Sequence, residues 1–258
     1  MKLAKSPRNK DQIKTQGLSD RTVGYILFAP TFFILIIVNV YILANMVFIS
    51  FHDYDIFSDF RAFVGLRNYL ILFEDSRLLE TVWNDLVFTF GNLSFQIVVG
   101  VLLALLLNRK YPGRNVMRSL VIFSYLLPTL VAVLAWRFML SDFTGIITHY
   151  IRVLNRTFGM SLPTSLLGNP DTAMFSVIMI SNWKFFPFAV ITLLAQLQSV
   201  DPNLYEAATI DGANAFQRFR YITWPSLLPV VYMILLLRFI WTFNKFDIIY
   251  LTTGGGPL

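Results

Sequence analysis

Five long apolar blocks constrain the fold of this chain more than any other feature of its sequence. They are Val23 to Phe51, Leu86 to Leu107, Leu120 to Leu140, Ala173 to Leu197 and Leu227 to about Phe243. Each block approaches or exceeds the roughly 20 helical residues needed to cross a hydrocarbon core of about 30 Å. Because lipid offers the backbone no hydrogen-bond partners, blocks of this length cross it as α-helices. The sequence therefore predicts an all-α integral membrane protein.

The composition agrees with a membrane protein and argues against other classes. The 258 residues are 56% hydrophobic and 14% charged, and their mean hydropathy is +0.61, outside the range of soluble domains. There are 21 Lys and Arg against 15 Asp and Glu, but these charges fall between the blocks and form no stripe for nucleic acid. With no cysteine and only His52 and His149, the chain has no predicted disulfide, metal site or cysteine nucleophile.

The distribution of Lys and Arg predicts the orientation, because these residues collect on the cytoplasmic side of a membrane. We predict a cytoplasmic N-terminal segment over residues 1–21 and a transmembrane domain over residues 22–258. The loops Tyr54 to Thr81 and Ser141 to Thr172 are then external. The first block is longer than a signal-peptide core of about 7–15 residues and has no cleavage site, so we expect it to be an uncleaved span. The basic residues that set this orientation are Lys2, Lys5, Arg8, Lys10, Lys14, Arg21, Arg109, Lys110, Arg114 and Arg118.

The chemistry of an enzyme is not evident in the sequence. Gly254 to Gly256 is predicted to be a turn, since no Gly-Lys-Ser/Thr follows it as a phosphate loop requires. We find no nucleotide motif, metal set or nucleophile–base pair, and so predict no catalytic residue and no cofactor bound by this chain. Energy for any transport must then arrive through contact with another chain.

A polar segment, residues 201–225, separates the fourth and fifth blocks. Asp201 and Pro202 are typical of a helix start, because Asp caps free amides and Pro suits the first helical position. Gly212 is expected to break this helix, and Asn214 to cap a second one that ends before Pro225. We expect Ala207 and Ala208 to pack on one side of the first helix. From composition alone, the segment is either a loop packed under its own bundle or an exposed docking surface.

The spacing within this segment resembles the EAA loop of ABC importer permeases. Glu206-Ala207-Ala208 is followed after three residues by Gly212, and after nine more by Ile222-x-Trp224-Pro225. Only Trp224 departs, since it stands where that pattern has leucine. The stretches FVGLRNY, GVLLALLLNR, WKFFPF and FDIIYLTTGGGP are also similar to the sugar permeases of this family, so the resemblance covers nearly the whole chain.

The resemblance implies a type I ABC importer transmembrane domain in a bacterial cytoplasmic (inner) membrane, moving a carbohydrate or related polyol. The implied partners are a second, different permease, a homodimeric cytoplasmic ATPase that binds ATP with Mg, an extracytoplasmic solute-binding protein and membrane lipid, and not nucleic acid. Such permeases continue past the Gly-Gly-Pro turn, so we expect a sixth helix to be missing after these five. The implied ATPase-coupling residues are Glu206, Ala207, Ala208, Asp211, Gly212, Ile222 and Pro225.

Two points about that segment stay open in the sequence. Glu206 and Asp211 either contact the ATPase or cap within the segment itself. Arg218 and Arg220 either take part in docking or are ordinary charges of the cytoplasmic side.

Polar residues inside the fourth and fifth blocks are the candidates for a solute pathway. Lys184 and Arg238 lie deep in the membrane, where a charge faces either a cavity or a structural partner, and Pro187 is expected to open the helix beside Lys184. Aromatic rings with amides and carboxylates suit sugars, although packing or interface anchoring is the alternative for each aromatic. Asn92 and Gln96 are expected to bond between helices. The pathway candidates are Asn182, Trp183, Lys184, Arg238, Trp241, Asn244, Asp247 and Tyr250.

Two other transport functions remain open at this point. A glycerol-phosphate importer of the same family would use Lys184 and Arg238 as partners of the anion. A secondary transporter driven by an ion gradient would use Lys184, Arg238 and Asp247 as a proton relay. A membrane-embedded enzyme finds no support, because no acid–base constellation is present.

Overall fold

The structure is a computed structural model that describes residues 19–54 and 61–256. Most of the predicted cytoplasmic segment and Pro257 of the Gly-Gly-Pro turn lie outside these ranges. The chain divides into two units, Met1–Leu78 and Leu79–Leu258, which are described separately.

The described part of the first unit contains a long apolar helix, followed by a small β-ribbon and a short helix that the sequence did not predict. Helix α1 (Asp20–Ser50) is apolar on all sides and confirms the first block. Strands β1 (His52–Tyr54) and β2 (Arg61–Phe63) pair antiparallel, with His52 opposite Phe63. Helix α2 (Arg67–Glu74) follows them. The Asn68 Nδ2 atom of α2 donates to the carbonyls of Ser50 and His52, both at 3.0 Å, and so ties the helix to the ribbon.

A carboxylate marks the turn between α2 and the next helix. The backbone N–H of Arg77 donates to Asp75 Oδ1 at 2.9 Å. This hydrogen bond, together with the nearby Arg77 guanidinium, lowers the pKa of the Asp75 carboxyl. The Asp75 carboxylate therefore caps the first amide of the next helix and stabilises the turn.

The helices that follow are joined by short connections and one π-helical turn, Phe219–Thr223. They are α3 (Arg77–Asn108), α4 (Arg114–Leu126), α5 (Thr129–Met139), α6 (Ile146–Phe158), α7 (Pro170–Ser199), α8 (Pro202–Ile210), α9 (Ala215–Arg218), α10 (Trp224–Phe243) and α11 (Asp247–Thr253). By length and composition, four of the helices in the described residues could cross a membrane, and the bent pair α4–α5 could form a fifth span.

Helices α3, α7 and α10 form the core of the second unit. Leu107, Leu193 and Ile234 are at most 2% exposed within it. Small residues bring the helices close together: a Cβ added to Gly100 would lie 3.0 Å from the Cβ of Ala189. These three helices therefore fix the positions of the polar residues that they carry.

The third apolar block is broken, which corrects the prediction of one continuous span. Helix α4 ends at Leu126, and α5 starts at Thr129 after a bend of 99°. Leu127 and Pro128 between them have extended backbones. Pro128 has no N–H to continue the helical ladder and disfavours helix at the residue before it. The block is thus two half-length helices.

The expected opening at Pro187 was wrong. Helix α7 runs without a break from Pro170 to Ser199, and Pro187 is buried inside it. The close packing of α7 between α3 and α10 holds the helix together across the missing amide. Lys184 therefore lies on an unbroken helix.

Candidate functional site

The polar segment, residues 201–225, begins as its sequence predicts. The Asp201 side chain accepts a hydrogen bond from the Asn203 amide at 2.9 Å, and Pro202 occupies the first turn of α8. Gly212 ends this helix with φ of +78°, a left-handed backbone that favours glycine. No atom lies within 4 Å of a Cβ added at Gly212, so the turn itself, and no crowding within the chain, accounts for the glycine.

The second short helix is capped and braced against the first. Asn214 and Gln217 form a capping box, with hydrogen bonds of 2.8 and 2.9 Å. Arg218 Nη1 donates to Thr209 Oγ1 at 2.7 Å, which links α9 to α8. These local bonds hold the bend in one conformation. They also assign Arg218, whose role the sequence left open, a partner inside the segment.

The prediction that this second helix ends before Pro225 was wrong. The chain stays helical from Ala215 to Phe243, passing through the π-helical turn into α10. In that turn the Trp224 amide donates five residues back, to the Phe219 carbonyl. Pro225 follows directly, so the π-helical turn accommodates the proline inside a continuous helix. The Ser226 hydroxyl donates to the Ile222 carbonyl at 2.7 Å. Ala215–Phe243 is therefore one continuous helix, which the turn at Gly212 joins to α8.

The outer face of the segment is exposed and chemically mixed. Glu206, Ala207, Asp211 and Gly212 are all exposed. For the two carboxylates, the structure gives no side-chain hydrogen bond or ion pair within residues 19–54 and 61–256, so neither serves as a cap there. The packing expected of the two alanines holds only in part, since Ala208 is half-buried while Ala207 points outward.

Apolar side chains beside these carboxylates were missed in the sequence. Ile210 is 87% exposed and Phe216 is 73% exposed, on either side of Gly212. An open cavity of about 320 Å³ lies between Tyr205, Glu206, Thr209 and Ile210. The signal was available as two large apolar residues flanking a turn in an otherwise polar segment. Such a surface, apolar with a carboxylate rim, has the composition of a protein-docking site.

A chain of buried polar side chains joins the three core helices. Arg238 Nε donates to Gln96 Oε1 at 2.7 Å, and Gln96 Nε2 donates to Asn182 Oδ1 at 3.2 Å. All three residues are at most 3% exposed. The interhelical bond expected of Gln96 is confirmed. Asn92 differs, since its Nδ2 donates within its own helix to the Phe88 carbonyl at 2.8 Å.

Lys184 forms hydrogen bonds with the backbone at the break between α4 and α5, within the third block. Its Nζ atom donates to the carbonyls of Ser124 at 3.3 Å, Tyr125 at 2.9 Å and Leu127. Ser124 and Tyr125 lie in the last turn of α4, where the helix end leaves carbonyls without helical partners, and Leu127 is the residue that follows the helix. The ammonium has three donors and all are used, so the structural partner of Lys184 is a helix end and not a carboxylate.

A second break lies between α10 and α11, at residues 244–246. An open cavity of about 500 Å³ there is lined by Ile240, Trp241, Asn244, Lys245, Phe246 and Asp247. Three of the predicted pathway residues, Trp241, Asn244 and Asp247, thus come together around one space. Discontinuous membrane helices commonly place polar backbone and side chains beside a solute, and an indole ring next to an amide and a carboxylate suits a sugar.

The other predicted pathway residues lie elsewhere. Asn182, Lys184 and Arg238 are buried and do not line the cavity. Trp183 packs edge-to-face on Trp136 with ring centroids 5.7 Å apart, and Tyr250 stacks on Phe246 at 5.0 Å. Trp183 and Tyr250 therefore have packing partners that the sequence could not supply.

Two residues of this region escaped the sequence prediction. Lys245 lines the cavity, and its Nζ lies 3.8 Å from Asp247 Oδ1. Phe185 lies behind it and faces several cations. Lys245 could have been found as a cation directly after the last apolar block. Phe185 carried no signal, because one phenylalanine in an apolar helix looks like any other.

No group of three or more His, Cys, Asp or Glu side chains that could hold a metal ion occurs within residues 19–54 and 61–256. The residues around the cavity at the α10–α11 break offer an aromatic ring, an amide, a cation and a carboxylate. This set can select and pass a polar solute.

Four helices and one bent pair long and apolar enough to cross a membrane, with a bent polar segment between two of them, are the features of a multi-pass membrane protein. Residues 96–258 match the family described as "Binding-protein-dependent transport system inner membrane component", and the chain belongs to that family.

The relatives and one solved structure agree with this membership. The chain is 35% identical to the trehalose/maltose transport system permease protein MalF of Thermococcus litoralis, over 91% of this chain and 78% of that protein. It is 30% identical to the sn-glycerol-3-phosphate transport system permease protein UgpA of Yersinia enterocolitica, over 94% of this chain and 80% of that protein. A crystal structure of a bacterial ABC transporter involved in the import of the acidic polysaccharide alginate contains a chain of the same fold, with a TM-score of 0.72 at 23% identity, covering 91% of this chain and 80% of that one. The predicted fold, an ABC importer transmembrane domain, is thereby confirmed.

Proposed function

We propose that this chain is one permease subunit of an ATP-driven importer for a carbohydrate or related polyol. The observation that carries the proposal is the segment 201–225, which is hydrogen-bonded within itself, exposed on its outer face and continuous from Ala215 with a helix long and apolar enough to cross a membrane. A permease without a nucleotide site needs such a part to receive motion from an ATPase. The named relatives import trehalose and maltose or glycerol 3-phosphate, which supports a polyhydroxylated solute here.

The coupling step follows from the geometry of this segment. Helix α8 and the Gly212 turn seat in a cleft of the ATPase, with Ile210 and Phe216 in apolar contact and Glu206 and Asp211 facing basic or amide groups. Closure of the ATPase pair on ATP with Mg moves the seated segment as a rigid body. Because Ala215–Phe243 is one helix of 29 residues, about 44 Å long, that displacement reaches the far end of α10.

The solute then moves beside the break at the far end of that helix. The cavity lined by Trp241, Asn244 and Asp247 is placed where displacement of α10 changes its width. A sugar ring stacks on the indole while its hydroxyls bond to the amide and carboxylate. The access of the solute to the cavity thus switches between the two sides of the membrane as the helix Ala215–Phe243 moves.

The assembly consists of two different permeases, a homodimeric ATPase and a solute-binding protein. The N-terminus and the segment 201–225 lie in the cytoplasm with the ATPase, and the binding protein delivers solute at the opposite face. This arrangement assigns ATP and Mg to the partner, while this chain holds no cofactor of its own.

Uptake by the reconstituted complex tests the proposal. The permease pair, ATPase and binding protein are placed in proteoliposomes, and uptake of labelled carbohydrates and polyols is measured with ATP inside. The proposal expects uptake that needs ATP and stops with vanadate. Uptake driven by an ion gradient without ATP, and without binding of the ATPase to this chain, would instead establish a secondary transporter.

A further inference from the structure

Three cations surround one aromatic ring behind the cavity at the α10–α11 break. The Lys245 Nζ atom lies 4.6 Å from the centroid of the Phe185 ring, the Arg238 guanidinium carbon lies 4.7 Å from it, and the Lys184 Nζ lies 5.7 Å from it. A ring face attracts each cation, but it carries no charge that could neutralise them. The ring therefore holds three like charges together inside a membrane protein, where isolated charge is costly.

The carboxylates near this ring do not balance the cations. Asp247 lies 3.8 Å from Lys245 Nζ, and this is the one ion pair that any of the three cations makes within the described part of the chain. Glu80 and Asp85 line an adjoining cavity of about 710 Å³ that Lys245 also borders, but neither approaches its Nζ within 4.0 Å. Near the Phe185 ring there are thus three cations and one carboxylate.

The three cations differ in how many hydrogen bonds they already make and in how exposed they are. Lys184 spends its donors on the carbonyls at the end of α4, and Arg238 is 3% exposed and bonds to Gln96. Lys245 is different, because its side chain is 25% exposed and lines both cavities. Lys245 is therefore the cation that a solute can reach, with the other two adding to the positive potential behind it.

We propose that the imported solute carries an acidic group, a carboxylate, a phosphate monoester or a free sulfonate, which binds the Lys245 ammonium beside the Phe185 ring. This inference rests on the proposed import of a carbohydrate or polyol and names its charge class. Asn244 and Asp247 then take the hydroxyls of the same solute, since an amide and a carboxylate accept hydrogen bonds from them. A neutral sugar would leave the excess positive charge uncompensated.

Matched probes that differ only in the acidic group test the proposal. The full complex in proteoliposomes is given galactose or galacturonate, glycerol or glycerol 3-phosphate, and glucose or glucose 6-phosphate. We expect ATP-dependent uptake of at least one acidic probe to exceed that of its neutral partner by about tenfold or more. The pair that responds also tells a carboxylate from a phosphate.

A substitution series assigns the effect to the residue. Lys245→Gln is expected to raise KM for the acidic probe by about tenfold with little change in kcat, while Lys245→Arg keeps the affinity. Lys110→Gln, an exposed lysine of the α3–α4 turn, is the control and leaves KM unchanged. Elution of the complex as one peak for every variant establishes that a change in KM is not misfolding.

Two results would overturn this inference, and they are distinguishable. If the neutral probe equals or exceeds its acidic partner in every pair of which a member is taken up, or if KM is unchanged in Lys245→Gln, the acidic solute is overturned and the importer stands. The absence of ATP-dependent uptake of every probe overturns the proposed function and this inference with it.

Discussion

The segment 201–225 and the buried polar layer formed by Gln96, Asn182, Lys184 and Arg238 use polar residues in opposite ways. In the segment, partners are neighbours in sequence: Asp201 caps an amide two residues on, and Asn214 pairs with Gln217. In the layer, Arg238 and Gln96 are 142 residues apart, and Gln96 and Asn182 are 86 apart. The carboxylates of Glu206 and Asp211 have no partner within the described residues, whereas the layer uses its polar groups to join its own helices.

This contrast assigns different consequences to mutations in the two regions. A change in the layer should cost stability, because it leaves buried polar groups without partners. A change in the segment should cost coupling, because its backbone is already satisfied locally and its outer face has no partner within the described chain. The following substitutions test that division.

The largest loss of stability is expected from Lys184→Met. It removes the donor from the carbonyls of Ser124, Tyr125 and Leu127 and should destabilise the protein by about 2–3 kcal/mol, since an unpaired buried acceptor costs about 1–3 kcal/mol and Ser124 is the buried one of the three. Thermal unfolding of the purified protein in detergent measures the effect. Lys184→Arg, which keeps a charged donor, should lose less, and equal Tm values for Lys184→Met and wild type would contradict the role assigned to this lysine.

A double-mutant cycle on Arg238→Met and Gln96→Leu measures the bond between α3 and α10. The buried 2.7 Å contact predicts a coupling free energy of about 1–2 kcal/mol, near the upper end found for side chains in membrane helices. Chemical unfolding in mixed micelles gives the four free energies of unfolding. Additive effects of the two substitutions would show that the contact does not join the helices.

Gly212→Val should leave the membrane helices intact and abolish stimulation of the partner ATPase. A β-branched residue in a left-handed backbone costs about 1–2 kcal/mol and changes the bend. Gly212→Asn is the matched control, since asparagine tolerates φ of +78° and a Cβ there meets no atom of this chain. Binding-protein-stimulated ATP hydrolysis is the readout. Retained stimulation in Gly212→Val would contradict the need for this turn, while loss in Gly212→Asn as well would show that the ATPase backbone approaches the glycine closely.

The smallest effect is expected from Thr209→Val, which removes the acceptor of Arg218. This exposed hydrogen bond should be worth about 0.5 kcal/mol, so the folded protein keeps its Tm while the amides of α9 exchange faster with solvent. Ser119→Ala removes a hydroxyl that bonds only within α4 and serves as the control. Equal exchange in the two variants would mean that Arg218 does not brace the bend.

The spans were predictable because lipid imposes one requirement on all of them. The block Ala173 to Leu197 differs from α7 by only a few residues at each end, and the caps at Asp201 and Asn214 were legible because they act within one turn. The prolines were not predictable in the same way. Pro128 breaks a span, and the backbone carbonyls at the break accept hydrogen bonds from Lys184, which is 57 to 60 residues away in sequence. Pro187 leaves α7 unbroken. Pro225 follows a π-helical turn that accommodates it within a continuous helix.

The candidate site shows the same difference between local contacts, which could be predicted, and long-range contacts, which could not. The positions and turn of the segment 201–225 could be deduced from its spacing, because its contacts are local. Lys245 and Phe185 could not, because only the folded chain brings a ring of α7 against cations of α10 and of the break that follows it. Ile210 and Phe216 can be seen in the sequence as apolar residues on either side of Gly212, but their exposure depends on the bend at that glycine.

The most direct test of the account is cross-linking from the face of the segment to the ATPase. The chain has no cysteine, so Glu206→Cys can carry a benzophenone label as a single site, with Tyr150→Cys in α6 as the control. In the assembled complex, illumination should join the label at position 206 to the ATPase subunit and leave position 150 unlinked. Linkage to the ATPase from position 150 and none from position 206 would contradict the assignment of this segment as the coupling surface.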